Sequence, residues 1–329
     1  MGYVFRMLCR ISDQITRLCR PRLRGAWWLV LFYKNGNRRH AGPRMVAVLI
    51  FGGWLLNATC SSAMVFGEDD RRRQSYHDMY HLKSVGVVVA GSYVGVGTLV
   101  LKGDVLVTSA HVIYDELGSL RSDQVIYFPD GNPKKRVSVD LTKAVAGNTV
   151  VKPGDLQDDW IILNLAKNVI NENPHQGFSS AGILPITPKN FRELKDNIVH
   201  VSFDFRRRPH RKLVNRKCRL HQKVRGDMFW DIPSILLHDC DLGRLDNSGS
   251  PIFYFDDGRY YLIGLHQGGH RDLTAEPYEG CLVARKCRDV HDSVFDPTKN
   301  PNFAFGITRQ FERAISRFID IRSINGSAK

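Results

Sequence analysis

Gly97-Thr-Leu-Val-Leu-Lys-Gly-Asp-Val-Leu-Val-Thr-Ser-Ala-His111-Val-Ile113 reads as two apolar runs folded about a Gly103-Asp104 turn, ending in a histidine between Ala110 and Val112. Runs of the same kind, rich in Val, Ile, Leu, Tyr and Phe and bounded by turn residues, recur along the chain. They fall at 85–90, 94–101, 105–107, 160–165, 198–203, 252–255, 260–265, 281–284 and 303–307. Asp256-Asp257-Gly258 has the composition of a second hairpin turn. Short strands at this spacing predict an all-β chain of sandwich or barrel type. Only the end departs from it: Phe311, Ala314, Ile315, Phe318 and Ile319 recur at helical spacing behind Thr308, a capping residue. That stripe predicts a terminal helix docked on the core.

Three segments carry chemistry, and each alone has a plain structural reading. His111 beside apolar residues reads as a core histidine, and Asp158-Asp159-Trp160-Ile161 as a turn that starts a strand. Leu245-Asp246-Asn247-Ser248-Gly249-Ser250-Pro251 reads as a loop. Together they supply what acyl transfer needs: a hydroxyl, an imidazole to take its proton, and a carboxylate to fix the tautomer. The order His, Asp, Ser in an all-β chain is that of the chymotrypsin class rather than of the subtilisins or α/β-hydrolases.

On these residues the sequence resembles the chymotrypsin-like (trypsin-like) serine proteases. Thr108-Ser-Ala-His-Val112 is similar to their histidine motif and Ser248-Gly-Ser-Pro251 to the bacterial form of their nucleophile motif. Gly264-Leu-His-Gln-Gly-Gly269 resembles the strand forming one wall of their specificity pocket, and Phe66-Gly-Glu-Asp-Asp-Arg71 is similar to a mature start in the secreted branch that holds the glutamyl endopeptidases. The resemblance spans about residues 83–322 and implies two six-stranded antiparallel β-barrels with a C-terminal α-helix. It implies Ser248 as nucleophile, His111 as general base and then acid, and Asp159, which directly precedes the apolar strand, as the orienting carboxylate. The backbone N–H groups of Asp246 and Ser248 would form the oxyanion hole, with Asp246 standing where the family has Gly. Leu242, His266, Gln267 and Gly268 would line the substrate pocket. His266 is the candidate for holding an acidic residue before the scissile bond; cleavage after Lys or Arg is the second choice, since Asp241 lies close to the pocket in sequence. No cofactor and no metal are implied, His266 and His270 being on a Gly-rich loop rather than one helix face.

Charge narrows the partners. The 329 residues carry a net charge of +14, but positions 1–44 hold ten bases against one acid and Arg206 to Arg225 hold ten bases and no acid, leaving the rest at −5. A nucleic-acid face spread over the domain is thereby unsupported. The segment Arg206 to Arg225 is either a solvated hairpin or a patch for polyanions. The expected partners are a protein or peptide substrate, with a polyanion contact through that segment, no specific nucleic acid and a monomeric state. The competing reading is a catalytically weak or inactive homologue that binds polyanions or peptides, for which Asp246 and the basic segment are the supports.

The first quarter reads as an address. Met45 to Leu56 is an apolar run behind a basic stretch, followed by small residues to Ala63, which predicts a secretory signal or a signal anchor at 1–63. Residues 64–82 then form a linker or propeptide, 83–322 the protease-like domain, and 323–329 a tail. A secreted or periplasmic protein is expected, membrane-anchored if the signal is kept. Cleavage would leave Cys218, Cys240, Cys281 and Cys287, an even number with three pairings. Proximity favours Cys218 with Cys240 and Cys281 with Cys287.

Overall fold

The computed structural model describes residues 64–66, 68–73, 82–150, 157–172, 179–205, 210–223, 225, 229, 231–242, 247–269, 290–292 and 295–326. The 1–63 signal, Asp246 and the Cys281 to Cys287 pair lie outside the described residues. The strands are β1 (Met64–Phe66), β2 (Arg72–Arg73), β3 (Val85–Ala90), β4 (Tyr93–Leu99), β5 (Val105–Thr108), β6 (Val125–Phe128), β7 (Val137–Ala146) and β8 (Ile161–Leu165). They continue with β9 (Gly182–Ile183), β10 (Ile198–Asp204), β11 (Arg211–Asn215), β12 (Leu220–His221) and β13 (Ile235–His238). The last four are β14 (Pro251–Asp256), β15 (Arg259–Gly269), β16 (Val290–Asp292) and β17 (Asn302–Gly306).

Strands β3 to β8 close into a six-stranded antiparallel barrel in the order β3-β4-β5-β8-β7-β6. Near-continuous Val/Ile/Leu runs suit it, because one side of each strand fills the lumen while the other packs on the rest of the molecule. In β5 and β8 every residue is buried. The second half is a curled sheet of nine strands in the order β12-β13-β17-β15-β14-β10-β11-β2, with β9 added beside β15. Among the described residues β12 and β2 remain its edges, so this half is an open barrel rather than a sealed one. The Asp256 turn is a two-residue hairpin joining β14 to β15. Asp257 and Gly258 have φ of 43° and 75°, the left-handed values that a tight hairpin requires.

One core runs through both halves, from Val105 and Ile162 of the barrel to Phe253, Leu265 and Phe305 of the sheet. The C-terminal helix Arg309–Gly326 closes it. The Thr308 hydroxyl accepts from the Phe311 N–H at 3.2 Å, which caps the helix. The Phe311 ring then meets Trp160 edge-on at 5.0 Å. A buried Lys212 of β11 stitches the halves together: its Nζ donates to the Leu82 carbonyl at 2.7 Å and pairs with Asp130.

The stretch expected as linker or propeptide contributes structure. Strand β1 pairs in parallel with β16, and β2 pairs with β11. Between them the Asp241 carboxylate accepts the Phe66 N–H at 2.8 Å and the Asp70 N–H at 2.7 Å. Cys218, just before β12, and Cys240, just after β13, form a disulfide.

Candidate active site

Strand β5 ends at Thr108, and the next residues coil into a helical turn, Ala110–Ile113, that carries His111. Two hydrogen bonds fix the histidine to one carboxylate. Asp159 Oδ1 accepts the His111 backbone N–H at 2.9 Å, and Asp159 Oδ2 lies 2.5 Å from His111 Nδ1. An ionised carboxylate can only accept, so Nδ1 holds the proton and the lone pair stays on Nε2. The Asp159 side chain is fully buried, whereas 17% of the imidazole remains open to solvent. A third bond braces the turn from outside: Arg121 Nε donates to the His111 carbonyl at 2.9 Å while its guanidinium lies 4.0 Å over the Tyr93 ring.

The adjacent Asp158 takes no part in this pair. Its φ of 59° turns the chain sharply, and its carboxylate lies 3.4 Å from the Trp160 indole nitrogen. Asp159 is held from behind as well, where Gln267 Nε2 donates to its carbonyl at 3.3 Å. Gln267, expected in the substrate pocket, thus reaches the acid. A register shift between His266 and Gly268 against β17 accompanies this, a bulge of the kind that re-aims a side chain.

Ser248 sits on the turn before β14, half-buried, and the turn is locked to the histidine segment. The Ser248 carbonyl accepts the Val96 N–H at 2.9 Å and the Gly249 N–H donates to the His266 carbonyl at 2.7 Å. Gly249 has a φ of +82°, and a Cβ there would lie 2.2 Å from Thr108 Oγ1 and 2.3 Å from the Val96 carbonyl. Only glycine combines that angle with that approach. Asn247, which the sequence left without a role, is buried and accepts the Phe203 N–H at 2.8 Å, tying the turn to β10. The structure therefore brings the segments of His111, Asp159 and Ser248 to one place between the two halves.

Behind the pocket residues lies a column of three buried histidines. Cys240 N–H donates to His238 Nδ1 at 3.3 Å, so the His238 proton is on Nε2, which faces His266 Nδ1 at 3.1 Å. That network leaves His266 with its own proton on Nε2. His200 stacks on His238 at 5.9 Å, and among the described residues neither of its ring nitrogens has a hydrogen-bond partner. Burial pushes His200 down to about 3, with the Arg71 charge adding to it. His238 and His266 are also held well below the usual histidine range, burial again being the first cause. All three rings are neutral at pH 7. Leu242 is fully buried, while Asp241 faces the backbone of 66–70. The sequence singled out His266 alone; His200 and His238 sit in strand patterns that gave no sign of the column.

The basic segment is largely spent on internal partners. Lys212 pairs with Asp130, Lys217 with Asp70 at 3.0 Å, and Arg219 with Asp239 at 3.6 Å. Arg216 donates to the Tyr260 hydroxyl at 2.5 Å. Arg206 to Arg208 lie outside the described residues.

No protein-family model matches this sequence, and no curated protein matches it. Solved structures do. A Glu endopeptidase in complex with MPD is similar at 14% identity and a TM-score of 0.53, over 78% of this chain and 98% of that one. The thermostable serine protease AL20, from an extremophilic microorganism, is 13% identical with a TM-score of 0.45, over 70% of this chain and 92% of its own. Protease Anisep from Arthrobacter nicotinovorans is 13% identical with a TM-score of 0.44, over 70% of this chain and 91% of its own. The likeness to the Glu endopeptidase is one of fold: this chain has the two-barrel, chymotrypsin-like architecture of the serine proteases.

Proposed function

We propose that the protein is a serine endopeptidase. The observation that carries the reading is the His111 and Asp159 pair, a buried carboxylate that accepts both the backbone N–H and the Nδ1–H of a histidine whose imidazole stays partly open to solvent. His111 Nε2 takes the Ser248 Oγ proton as Oγ attacks the peptide carbonyl, and Asp159 stabilises the imidazolium that forms. The backbone N–H groups of Ser248 and Asp246 receive the oxyanion. His111 then protonates the leaving amine, and water hydrolyses the acyl-enzyme by the same path in reverse. In this reading the hydrogen bond from the Ser248 hydroxyl to the imidazole is made as substrate binds.

Residues before the scissile bond are acidic in this reading. A neutral His266 with its proton on Nε2 offers a donor to a carboxylate, and Asp241, next to Leu242 in sequence, is occupied by the Phe66 and Asp70 N–H groups. The Cys218 to Cys240 disulfide fits the export expected from the first 63 residues, since such bonds persist in oxidising compartments. The test is cleavage of a peptide library by the processed protein. Cuts after Glu or Asp that vanish in Ser248→Ala support the proposal, and His266→Leu is expected to abolish the acidic preference. Cuts after Lys or Arg would overturn the specificity, and cutting that persists in Ser248→Ala would overturn the mechanism.

A further inference from the structure

Away from Ser248, a cleft of about 460 Å³ lies between the C-terminal helix and the start of β8, lined by Arg309, Gln310, Arg313, Arg317, Trp160 and Gly147. The three arginines are spaced by four residues, so they stand in one row about 6 Å apart along a single helix face. All three are exposed. Arg309 is paired with Glu312 at 2.8 Å. Among the described residues neither Arg313 nor Arg317 has an acidic partner, in contrast to Lys212, Lys217 and Arg219 of the basic segment. The wall opposite is rigid: Trp160 is 3% exposed, wedged against Phe311 and Phe305, and a Cβ on Gly147 would lie 2.4 Å from the indole nitrogen. The cleft thus joins a preformed concavity to two arginines without an acidic partner among the described residues, with the Asp158 carboxylate 3.4 Å from the indole nitrogen on the opposite wall.

We infer that the cleft is a binding site for a polyanion bearing adjacent phosphate groups, held by Arg313 and Arg317 with Arg309 at its edge. Arginine presents its donors as a planar fork that engages phosphate oxygens two at a time. Exposure selects phosphate over carboxylate. A solvent-exposed carboxylate gains well under ~1 kcal/mol from such a partner, whereas a phosphate carries about −1.5 to −2 charges. The buried indole has no open face for a base to stack on, which removes single-stranded nucleic acid from the candidates. Free polyphosphate and clustered phosphate headgroups of a lipid surface share this chemistry.

Calorimetric titration of the processed protein with tripolyphosphate tests the site, and vesicles of phosphatidylcholine with and without phosphatidate separate the soluble from the lipid source. Binding of either probe that weakens with added salt is expected, and Arg313→Gln with Arg317→Gln should lower the affinity about tenfold or more. Arg216→Gln with Lys217→Gln, in the other basic segment, should leave it within about twofold. A conservative pair, Arg313→Lys with Arg317→Lys, should retain the salt dependence but lose affinity, because it keeps charge and removes the fork. No binding of either probe at millimolar concentration would overturn the proposal, as would an equal loss in the Arg216 and Lys217 control. Polyglutamate binding as tightly as tripolyphosphate would reassign the cleft to an acidic peptide. The variants are at exposed positions, and matching thermal unfolding certifies that they fold.

Discussion

Asp159 differs from Asp158 by one position and by everything that matters to the chemistry. Asp158 takes the left-handed angle of the turn, which leaves Asp159 pointing inward beneath His111. Asp159→Asn should preserve the fold and lower kcat by about 10⁴, since an amide that donates to Nδ1 holds the wrong tautomer; steady-state peptide hydrolysis measures it. Gly249 is the second such residue. Gly249→Ala forces a Cβ into Thr108 Oγ1 at a positive φ, so a loss of about 1–3 kcal/mol and a collapse of activity are expected. Denaturant unfolding beside an activity assay checks both, and a stable, active alanine variant would contradict the role assigned to that turn. His111 and Ser248 were singled out by residue type and order, and the hydrogen-bonded placement of His111 on an aspartate agrees with that expectation. The reason Asp159 rather than its neighbour faces the histidine was not, because a backbone angle has no letter in the sequence.

At the scale of elements, the apolar runs of the first barrel were plain in the chain: the run at 85–90 is strand β3 residue for residue. Strand β11 was hidden inside Arg206 to Arg225, where charge density suggested a solvated hairpin or patch. Lys212 is buried there because Asp130 and the Leu82 carbonyl receive it, partners 82 and 130 residues away that no local pattern signals. The histidine column was hidden for the same reason, its members coming from β10, β13 and β15. It makes a pH prediction. The folded state holds these rings neutral, His200 down to about 3, while the unfolded chain protonates them from near 6.5. Stability is therefore full above about pH 6.5 and falls as pH drops toward 3, by about 1.4 kcal/mol per pH unit for His200, with His238 and His266 acting in the same direction. Urea unfolding between pH 7 and pH 4 reads the slope, and His200→Leu should lower it by roughly one proton. The disulfide lies beside β12 and β13: Cys218 and Cys240 are 22 residues apart, and replacing both by Ala should cost about 3 kcal/mol in the same assay.

For the whole molecule, the helix at the end and the buried Lys212 with its Leu82 and Asp130 partners join the halves. Phe311 is fully buried against Trp160 and Phe305, so Phe311→Ala should destabilise by about 3–5 kcal/mol. Because Trp160 follows Asp159 directly, the same variant should also slow peptide hydrolysis, a coupling that a merely peripheral helix would lack. The net charge of +14 resolves into separate parts: an arm expected to be removed, a basic segment in which Lys212, Lys217 and Arg219 are paired with Asp130, Asp70 and Asp239, and an arginine row on the last helix. The most direct measurement of the central claim is labelling of the processed, folded protein with a fluorophosphonate, followed by mass mapping of the adduct. The account predicts one adduct, on Ser248, that is lost in Ser248→Ala and strongly slowed in His111→Ala. Folded protein that takes up no label, or takes it equally with Ala at position 248, would contradict it.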